Sequence, residues 1–426
     1  MTDNIPSAGT PLPALKQGIE AVQFQHEGKP MVMLRDTEGI SREPIAVTLP
    51  GFVLATMLNG SATVSEVQSA FAKASGSLLG LDEIRGLVAA LDKATLLETE
   101  TVARRRLKIR DEFLTSPVRP AVHAGTGYPD VPLELAAYMG RFFTDPKGPG
   151  KQVPSSALGA PPQAIFVPHI DLERGGPSYA WGYQALGETA PPDLIVALGV
   201  AHASPPSPWT ATRKSYATPY GAMEVDAGLY DEFRVALWYD PVSDEPVHRT
   251  EHSLEFQALW LKYLWREKTP KWLPILCSSF EMWAEDKPPS SVGSVDGALT
   301  RFGQALKARQ AKGERILILA GVDMAHVGPR FGDEIALTPE LAKKIEDQDR
   351  ASLDLALKGD ADGLYMSVIK DDHWRKWCGL SAIYSTLRLL REMAPASQGR
   401  VLSYGQAPDP MGGIVSFTST IFSRSL

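Results

Sequence analysis

Residues 194–204 read Leu-Ile-Val-Ala-Leu-Gly-Val-Ala-His-Ala-Ser, a short apolar run that ends two residues before a histidine. A continuous run of this length reads as a strand buried on both faces rather than as an alternating, half-solvated one. Four more runs share the texture: 164–168 (AIFVP), 272–279 (WLPILCSS), 315–322 (RILILAGV) and 414–422 (IVSFTSTIF). Helical patterns lie between several of them, over 252–265, 297–311, 339–358 and 376–394. Strands of this kind alternating with helices predict an α/β fold whose sheet is covered by helices on both faces. No internal repeat and no long low-complexity segment interrupts the pattern.

Upstream, a Pro/Gly/Ser-rich connection spans 141–163, and before it the texture differs. Runs 31–35 (MVMLR) and 45–49 (IAVTL) predict strands, and Pro50 opens a short helix around Phe52, Leu54 and Leu58. Asn59-Gly60 reads as a helix stop, and Thr63 and Ser65 as caps of a helix carrying Val64, Val67, Phe71 and Ala72. A third helix is expected over 81–93, and 95–99 (TLLET) as a returning strand. The predicted division is a loose tail over 1–19, a small α+β unit over 20–115 and the α/β domain over 116–426. The texture of the small unit resembles winged-helix domains of the PqqD-like type. That resemblance implies recognition of a peptide or protein partner through residues 20–115, against a plainer reading as an accessory packing unit. The basic run Arg104, Arg105, Arg106, Lys108 and Arg110 reads as a solvated helix face.

The 426 residues carry 43 Lys+Arg against 50 Asp+Glu, a net charge of −7, which gives no general affinity for nucleic acid. Hydrophobic residues at 44% and charged residues at 22% place the chain among ordered globular proteins. Two cysteines, Cys277 and Cys378, exclude a disulfide scaffold and suit a reducing, cytoplasmic setting. The first ten residues (MTDNIPSAGT) hold no apolar signal region and no stretch is long enough to span a bilayer, so neither secretion nor a membrane partner is expected. No serine-hydrolase elbow, P-loop, Rossmann glycine fingerprint or Cys-x-x-Cys is present, which disfavours those chemistries.

Chemistry concentrates where strands end. His169 follows the first run in Val167-Pro168-His169-Ile170-Asp171, His202 follows the second, and Asp323 and His326 follow a third in Val322-Asp323-Met324-Ala325-His326. Ligands of open α/β sheets bind outside the carboxyl ends of strands, so three such ends can converge on one crevice. Cys378 stands at the start of a helical stretch, where a thiolate is favoured. Cys277, inside an apolar run, reads as a buried thiol. His248-Arg249-Thr250-Glu251-His252 matches the inverted zinc-protease motif H-x-x-E-H literally. Thr250, however, reads as the cap of the following helix, which puts His248 in the loop before it and disfavours a zinc hydrolase. Glu251, His252 and Glu255 at that helix start are candidates for supporting or proton-transfer roles.

The ordered series 167–186 (VPHIDLERGGPSYAWGYQAL), 198–204 (LGVAHAS), 216–226 (YATPYGAMEVD), 251–257 (EHSLEFQ), 321–332 (GVDMAHVGPRFG) and 377–383 (WCGLSAI), with His123-Ala124-Gly125-Thr126-Gly127-Tyr128-Pro129 upstream, resembles the Memo family. In bacteria and archaea that family is called AmmeMemoRadiSam system protein B. The resemblance implies a fold similar to the class III extradiol (LigB-type) dioxygenases and a metal held by His169, His202 and Cys378. It sets His252, Asp323 and His326 beside that metal as catalytic candidates. Two departures stand out: Pro168-His169-Ile170-Asp171-Leu172 where the family commonly reads PHAGY, and a single histidine, His202, where a pair is usual. Asp171 is then an extra ligand or an outer partner orienting an imidazole. The resemblance therefore implies a cytoplasmic iron-dependent, dioxygenase-like oxidoreductase using Fe(II), with Cu or Zn as alternatives, and taking O₂ and a small organic substrate. The rival reading is a non-catalytic scaffold that binds a peptide or an anionic ligand.

Overall fold

The computed structural model describes residues 9–36, 38–41, 43–150, 161–335, 337–409 and 412–424. The chain forms two compact units, residues 1–115 and 116–426.

In the larger unit the apolar runs become the centre of an eight-stranded sheet. Ala164–Val167, Ile316–Gly321, Leu194–Val200 and Lys271–Cys277 lie side by side in that order, all parallel. Ile414–Arg424 runs antiparallel beside Ala164–Val167 and carries both Asp323–Val327 and Ser397–Pro408. Trp209–Ala211 closes the other edge against Lys271–Cys277. Alternate residues of each central strand enter opposite layers. Phe166, Val196, Leu273 and Ile318 meet helices Ala227–Ala236, Gly293–Ala311, Pro339–Leu357, Ala361–Ile369 and Leu380–Met393. Ile165, Ile195, Leu276 and Leu317 meet helices Pro132–Thr144, Leu172–Gly187 and His252–Trp265. Each such side chain contributes about 1.5–3 kcal/mol by leaving water, so the sandwich holds the strand ends rigidly. This is the mixed α/β architecture with a sheet covered on both faces that the apolar runs imply.

Several elements differ from the sequence reading. Leu172–Gly187 is helical although it contains Gly175, Gly176 and Pro177. A Cβ on Gly176 would sit 2.3 Å from the Phe142 ring, so glycine there lets two helices approach closely. Asp323 and His326 follow strand Ile316–Gly321, as the sequence implies, but they also form a further short strand, Asp323–Val327. Of the expected connection over 141–163, residues 141–144 end a helix, and 151–160 lie outside the described residues.

The smaller unit holds an antiparallel sheet of Ile19–His26, Lys29–Asp36 and Ile45–Thr48, followed by helices Leu49–Thr56, Val64–Ser75, Leu81–Lys93 and Glu100–Thr115. Val32, Leu34, Leu54, Phe71, Ile84 and Leu91 form its core. Thr63 caps its helix in a capping box with Glu66, whereas Ser65 sits inside the first turn. Helix Leu49–Thr56 stops before Asn59-Gly60, and Asn59 instead organises the next loop through the Ser61 and Ala62 amides. The stretch 95–99 is not a strand: Thr95 has a φ of 58°, and only Leu97 makes a bridge, to Leu15. Of the expected tail, residues 1–8 lie outside the described residues, while 11–16 are packed rather than loose. Leu12 is buried, Pro11 bridges Thr63, and the Lys16 ammonium sits 2.7 Å from Asp36. The basic run lies on helix Glu100–Thr115, where Arg104 pairs with Glu100 and Arg106 with Glu38 and Glu98. No described helix is long and apolar enough to cross a membrane.

Candidate metal centre

Parallel strands deliver the candidate ligands to one edge of the sheet. Val167 and Val200 end their strands two residues before His169 and His202, and Gly321 ends the strand lying between them. His169 is buried, and its Nδ1–H donates to the Gly321 carbonyl at 3.0 Å. Its backbone N–H donates to Asp323 Oδ1 at 3.0 Å. The remaining ring nitrogen, Nε2, stands 3.3 Å from Cys378 Sγ and 3.6 Å from Asp323 Oδ2. His202 spends its Nδ1 on Glu251, 3.1 and 3.0 Å from the two carboxylate oxygens, and its backbone N–H donates to the same group at 3.1 Å. The His169 and His202 rings meet edge to face, 5.0 Å apart.

Cys378 precedes Gly379, the cap of helix Leu380–Met393. The helix start can lie this close to the sheet only because residue 379 is glycine. A Cβ there would come within 2.5 Å of Val322 Cβ and 2.7 Å of the Asp323 carbonyl. One ligand atom each from His169, His202 and Cys378 falls within 4.8 Å of the others. Neighbouring donors of a tetrahedral N/S site are about 3.3–3.8 Å apart, so these atoms already lie close to that spacing. His202 keeps 39% of its side chain accessible, which leaves the centre open on that side.

Helix His252–Trp265 brings His252 against both candidate histidines, its ring centre 5.3 Å from that of His169 and 5.0 Å from that of His202. Glu251 caps it, accepting from the Ser253 N–H at 3.0 Å. The cap is therefore Glu251 rather than Thr250. A capping carboxylate doubles as the anchor of His202, because the helix N-terminus points at the strand ends. His252 stacks on His202 with ring centres 5.0 Å apart and 14° between planes, and its Nδ1 lies 3.4 Å from Glu251 Oε1. His202, Glu251 and His252 form a second group of donor atoms within 4.8 Å of one another.

The electrostatics follow from burial and from these contacts. Burial, reinforced by the neighbouring His202, pushes the His169 imidazole down to about 3, and burial takes His252 to about 3 as well. Both are neutral at pH 7. For His202 burial opposes protonation, yet Glu251 and Cys378 outweigh it and raise the ring well above its ordinary value. Burial alone would raise Glu251, but His202, His252 and the Ser253 N–H hold it well below the usual carboxylate range. Burial raises the Cys378 thiol, with His202 pulling the other way. Burial lifts Asp323 to about 6 against the pull of His326 and of the His169 and Ile170 amides.

The structure thus gathers His169, His202, Cys378, His252 and Asp323 at one place. His326 stands further along its strand, with its Nδ1–H donating to the Met324 carbonyl at 2.9 Å and its ring against Phe331. Burial lowers its imidazole, and Asp323 opposes that. One expectation is corrected. Asp171 orients no imidazole; it caps helix Leu172–Gly187 through the Arg174 amide at 3.0 Å and pairs with the Arg174 guanidinium at 2.6 Å. His248 cannot join a zinc-protease pair. It is fully buried in the 3-10 turn Glu245–Arg249, with Nδ1 on the Tyr216 hydroxyl at 2.6 Å and Nε2 on the Thr210 carbonyl at 3.1 Å.

Sequence reasoning named Glu255 as a supporting group but missed the partners that hold it. Buried Arg119 pairs with Glu255 and donates to the carbonyls of His248 and Glu251 at 2.9 and 2.8 Å. Glu255 Oε1 also accepts from the Tyr128 hydroxyl at 2.6 Å and the His123 amide at 2.9 Å. The available signal was Glu255 one helical turn beyond Glu251, on the same face. His123 approaches His252 with ring centres 6.0 Å apart.

A family model described as "Memo-like protein" matches residues 119–419. A MEMO1 family protein of Aquifex aeolicus is 26% identical over 409 residues, covering 96% of this chain and the whole of the relative. Another from Thermus thermophilus is 30% identical over 342 residues, covering 80% of this chain and 93% of the relative. A solved structure of an uncharacterized protein from Escherichia coli K12 aligns at 15% identity with a TM-score of 0.34, over 61% of this chain and 98% of that one.

Proposed function

The chain belongs to the Memo family, and from the donor set of its crevice we propose that it is a metal-dependent oxidoreductase. The metal, Fe(II) in preference to Cu or Zn, is assigned to His169 Nε2, His202 Nε2 and Cys378 Sγ. The observation that carries this reading is the use of both Nδ1 atoms elsewhere, on Gly321 and on Glu251. Those two contacts orient the rings so that His169 presents an Nε2 lone pair and His202 presents Nε2 once an ion displaces its proton. Two imidazoles and a thiolate suit a first-row transition metal, and three protein donors leave coordination positions vacant. When bound, iron in such a site supplies redox chemistry with O₂ for a small organic substrate.

The protein's own groups do the rest. Asp323, with its carboxyl near 6, holds or releases a proton at Oδ2 close to neutral pH and fixes the backbone of His169. His252, neutral and backed by the Glu251 charge, is placed to receive a substrate proton on its ring. His326 sits beyond Asp323 as the exit for that proton. A thiolate where extradiol dioxygenases carry a carboxylate ligand changes iron's redox behaviour and favours an oxidation other than ring cleavage. Residues 20–115 are assigned to recognition of a peptide or protein partner, on the winged-helix-like texture of that stretch.

Anaerobically prepared, Fe(II)-loaded protein given phenols and thiols in an oxygen-electrode cell tests the reading. Oxygen uptake that depends on substrate and disappears in Cys378→Ala is expected. No uptake with any candidate, together with tight peptide binding, would replace it with the scaffold reading.

A further inference from the structure

Cys378 belongs to no regular element. The segment before it, residues 371–377, carries Asp372, His373 and Lys376 at φ values of 57°, 52° and 45°, all in the left-handed region that side chains disfavour. A ligand on so irregular a segment keeps its place only if other groups hold the segment down. On the other side of the sheet's edge, strand Asp323–Val327 meets its neighbour with a register shift between Asp323 and His326, so it too needs fixing from outside the ladder.

One buried side chain reaches both. Asp349, on helix Pro339–Leu357, is fully buried. Its Oδ1 accepts from Trp377 Nε1 at 2.9 Å and Arg375 Nη1 at 3.0 Å. Its Oδ2 accepts from the Ser416 hydroxyl at 2.6 Å and the Tyr404 hydroxyl at 3.1 Å. Two of these partners, the Trp377 indole and the Arg375 guanidinium, can only donate, so the carboxylate accepts from both although burial raises it. Trp377 is the residue bonded to Cys378. Ser416 Oγ in turn accepts from the Ala325 amide at 2.8 Å, and the Arg375 carbonyl accepts from the His326 amide at 2.7 Å.

We propose that Asp349 is the positioning residue of the crevice, clamping the Cys378 segment through Trp377 and Arg375 and the Asp323–His326 strand through Ser416. It touches neither substrate nor metal; it sets the distance between the thiol and the strand that His169 leans on. This rests on the metal assignment above for its consequence, though the clamp itself acts on the metal-free protein. A merely structural role would predict lost stability without a change at the thiol.

The test uses the full chain, with Co(II) as the metal probe. Trp377→Phe keeps an aromatic ring and removes the Nε1–H that ties Cys378's neighbour to Asp349, so it covers the case in which Asp349→Asn does not fold. Trp377→Phe is expected to weaken Co(II) binding about tenfold and to reduce the thiolate-to-Co(II) absorption band, beside a fall of about 3–6 °C in unfolding temperature for the lost buried hydrogen bond. A variant that folds and binds Co(II) with wild-type affinity and band overturns the proposal. If the wild-type protein binds no Co(II), the metal assignment fails instead, and the rate of Cys378 alkylation by iodoacetamide decides for Asp349. A change of about threefold or more in Trp377→Phe supports the clamp, and an unchanged rate overturns it.

Discussion

Replacing Glu255 by glutamine removes one charge from a place where water cannot compensate. Glu255 and Arg119 are both fully buried, and the guanidinium has no other acid to turn to among its contacts: its remaining donors go to the carbonyls of His248, Glu251 and Pro120. The amide keeps the shape of the side chain but leaves Arg119 as a buried charge without its counterion. Breaking one side of such a pair costs about 3–5 kcal/mol. The contacts of Oε1 with the Tyr128 hydroxyl and the His123 amide survive if the amide oxygen takes that position, which turns the amide NH2 towards the Arg119 donors and concentrates the loss on that pair. At about 2 °C per kcal/mol for a unit of this size, thermal unfolding followed by circular dichroism should fall by about 6–10 °C. Because Arg119 also holds the Glu251 carbonyl, the same variant should lose metal affinity. A drop of less than about 2 °C would refute the claim that this pair braces the histidine wall.

Glu251→Gln removes the carboxylate that fixes the His202 tautomer, and a Co(II) titration should show affinity lowered by about 10–100-fold; an unchanged affinity would mean that the carboxylate does not orient the ligand. Metal affinity should rise from pH 6 to pH 8. His202 and Cys378 are both raised, so each holds a proton that the metal must displace, whereas His169, near 3, contributes nothing in that window. Apparent dissociation constants that stay flat across the range would contradict this assignment. Gly379→Ala forces a Cβ to within 2.5 Å of Val322 and should destabilise the protein by about 1–3 kcal/mol while displacing Cys378. Denaturant unfolding measures the first effect and Co(II) binding the second; a neutral result would show that the helix start can shift freely.

The central sheet was legible because its strands are covered on both faces, which writes them as uninterrupted apolar runs. Leu194–Val200 and helix His252–Trp265 have the bounds their sequences predict. Helix Leu172–Gly187 was hidden by Gly175, Gly176 and Pro177, residues suited to close approach to Phe142 and Ile170 rather than to helix propensity. Strand Ser397–Pro408, a half-exposed edge rich in Ser, Gln and Gly, has no apolar run to announce it. At the crevice, strand-end placement pointed to His169, His202 and Asp323. What joins them to Cys378, more than two hundred residues after His169, is tertiary: the crossing of Val322 under Gly379 and the clamp around Asp349. Asp171 misled because a carboxylate beside a histidine reads as its partner, while an equally short distance in sequence makes it the cap of the next helix.

The most direct test of the account is the metal content of protein purified without a histidine tag, measured by mass spectrometry for the wild type, His169→Ala and Cys378→Ala. One transition-metal ion per chain in the wild type, predominantly iron, and its loss from both folded variants is the predicted result. Full occupancy retained in either variant would contradict the assignment of the centre.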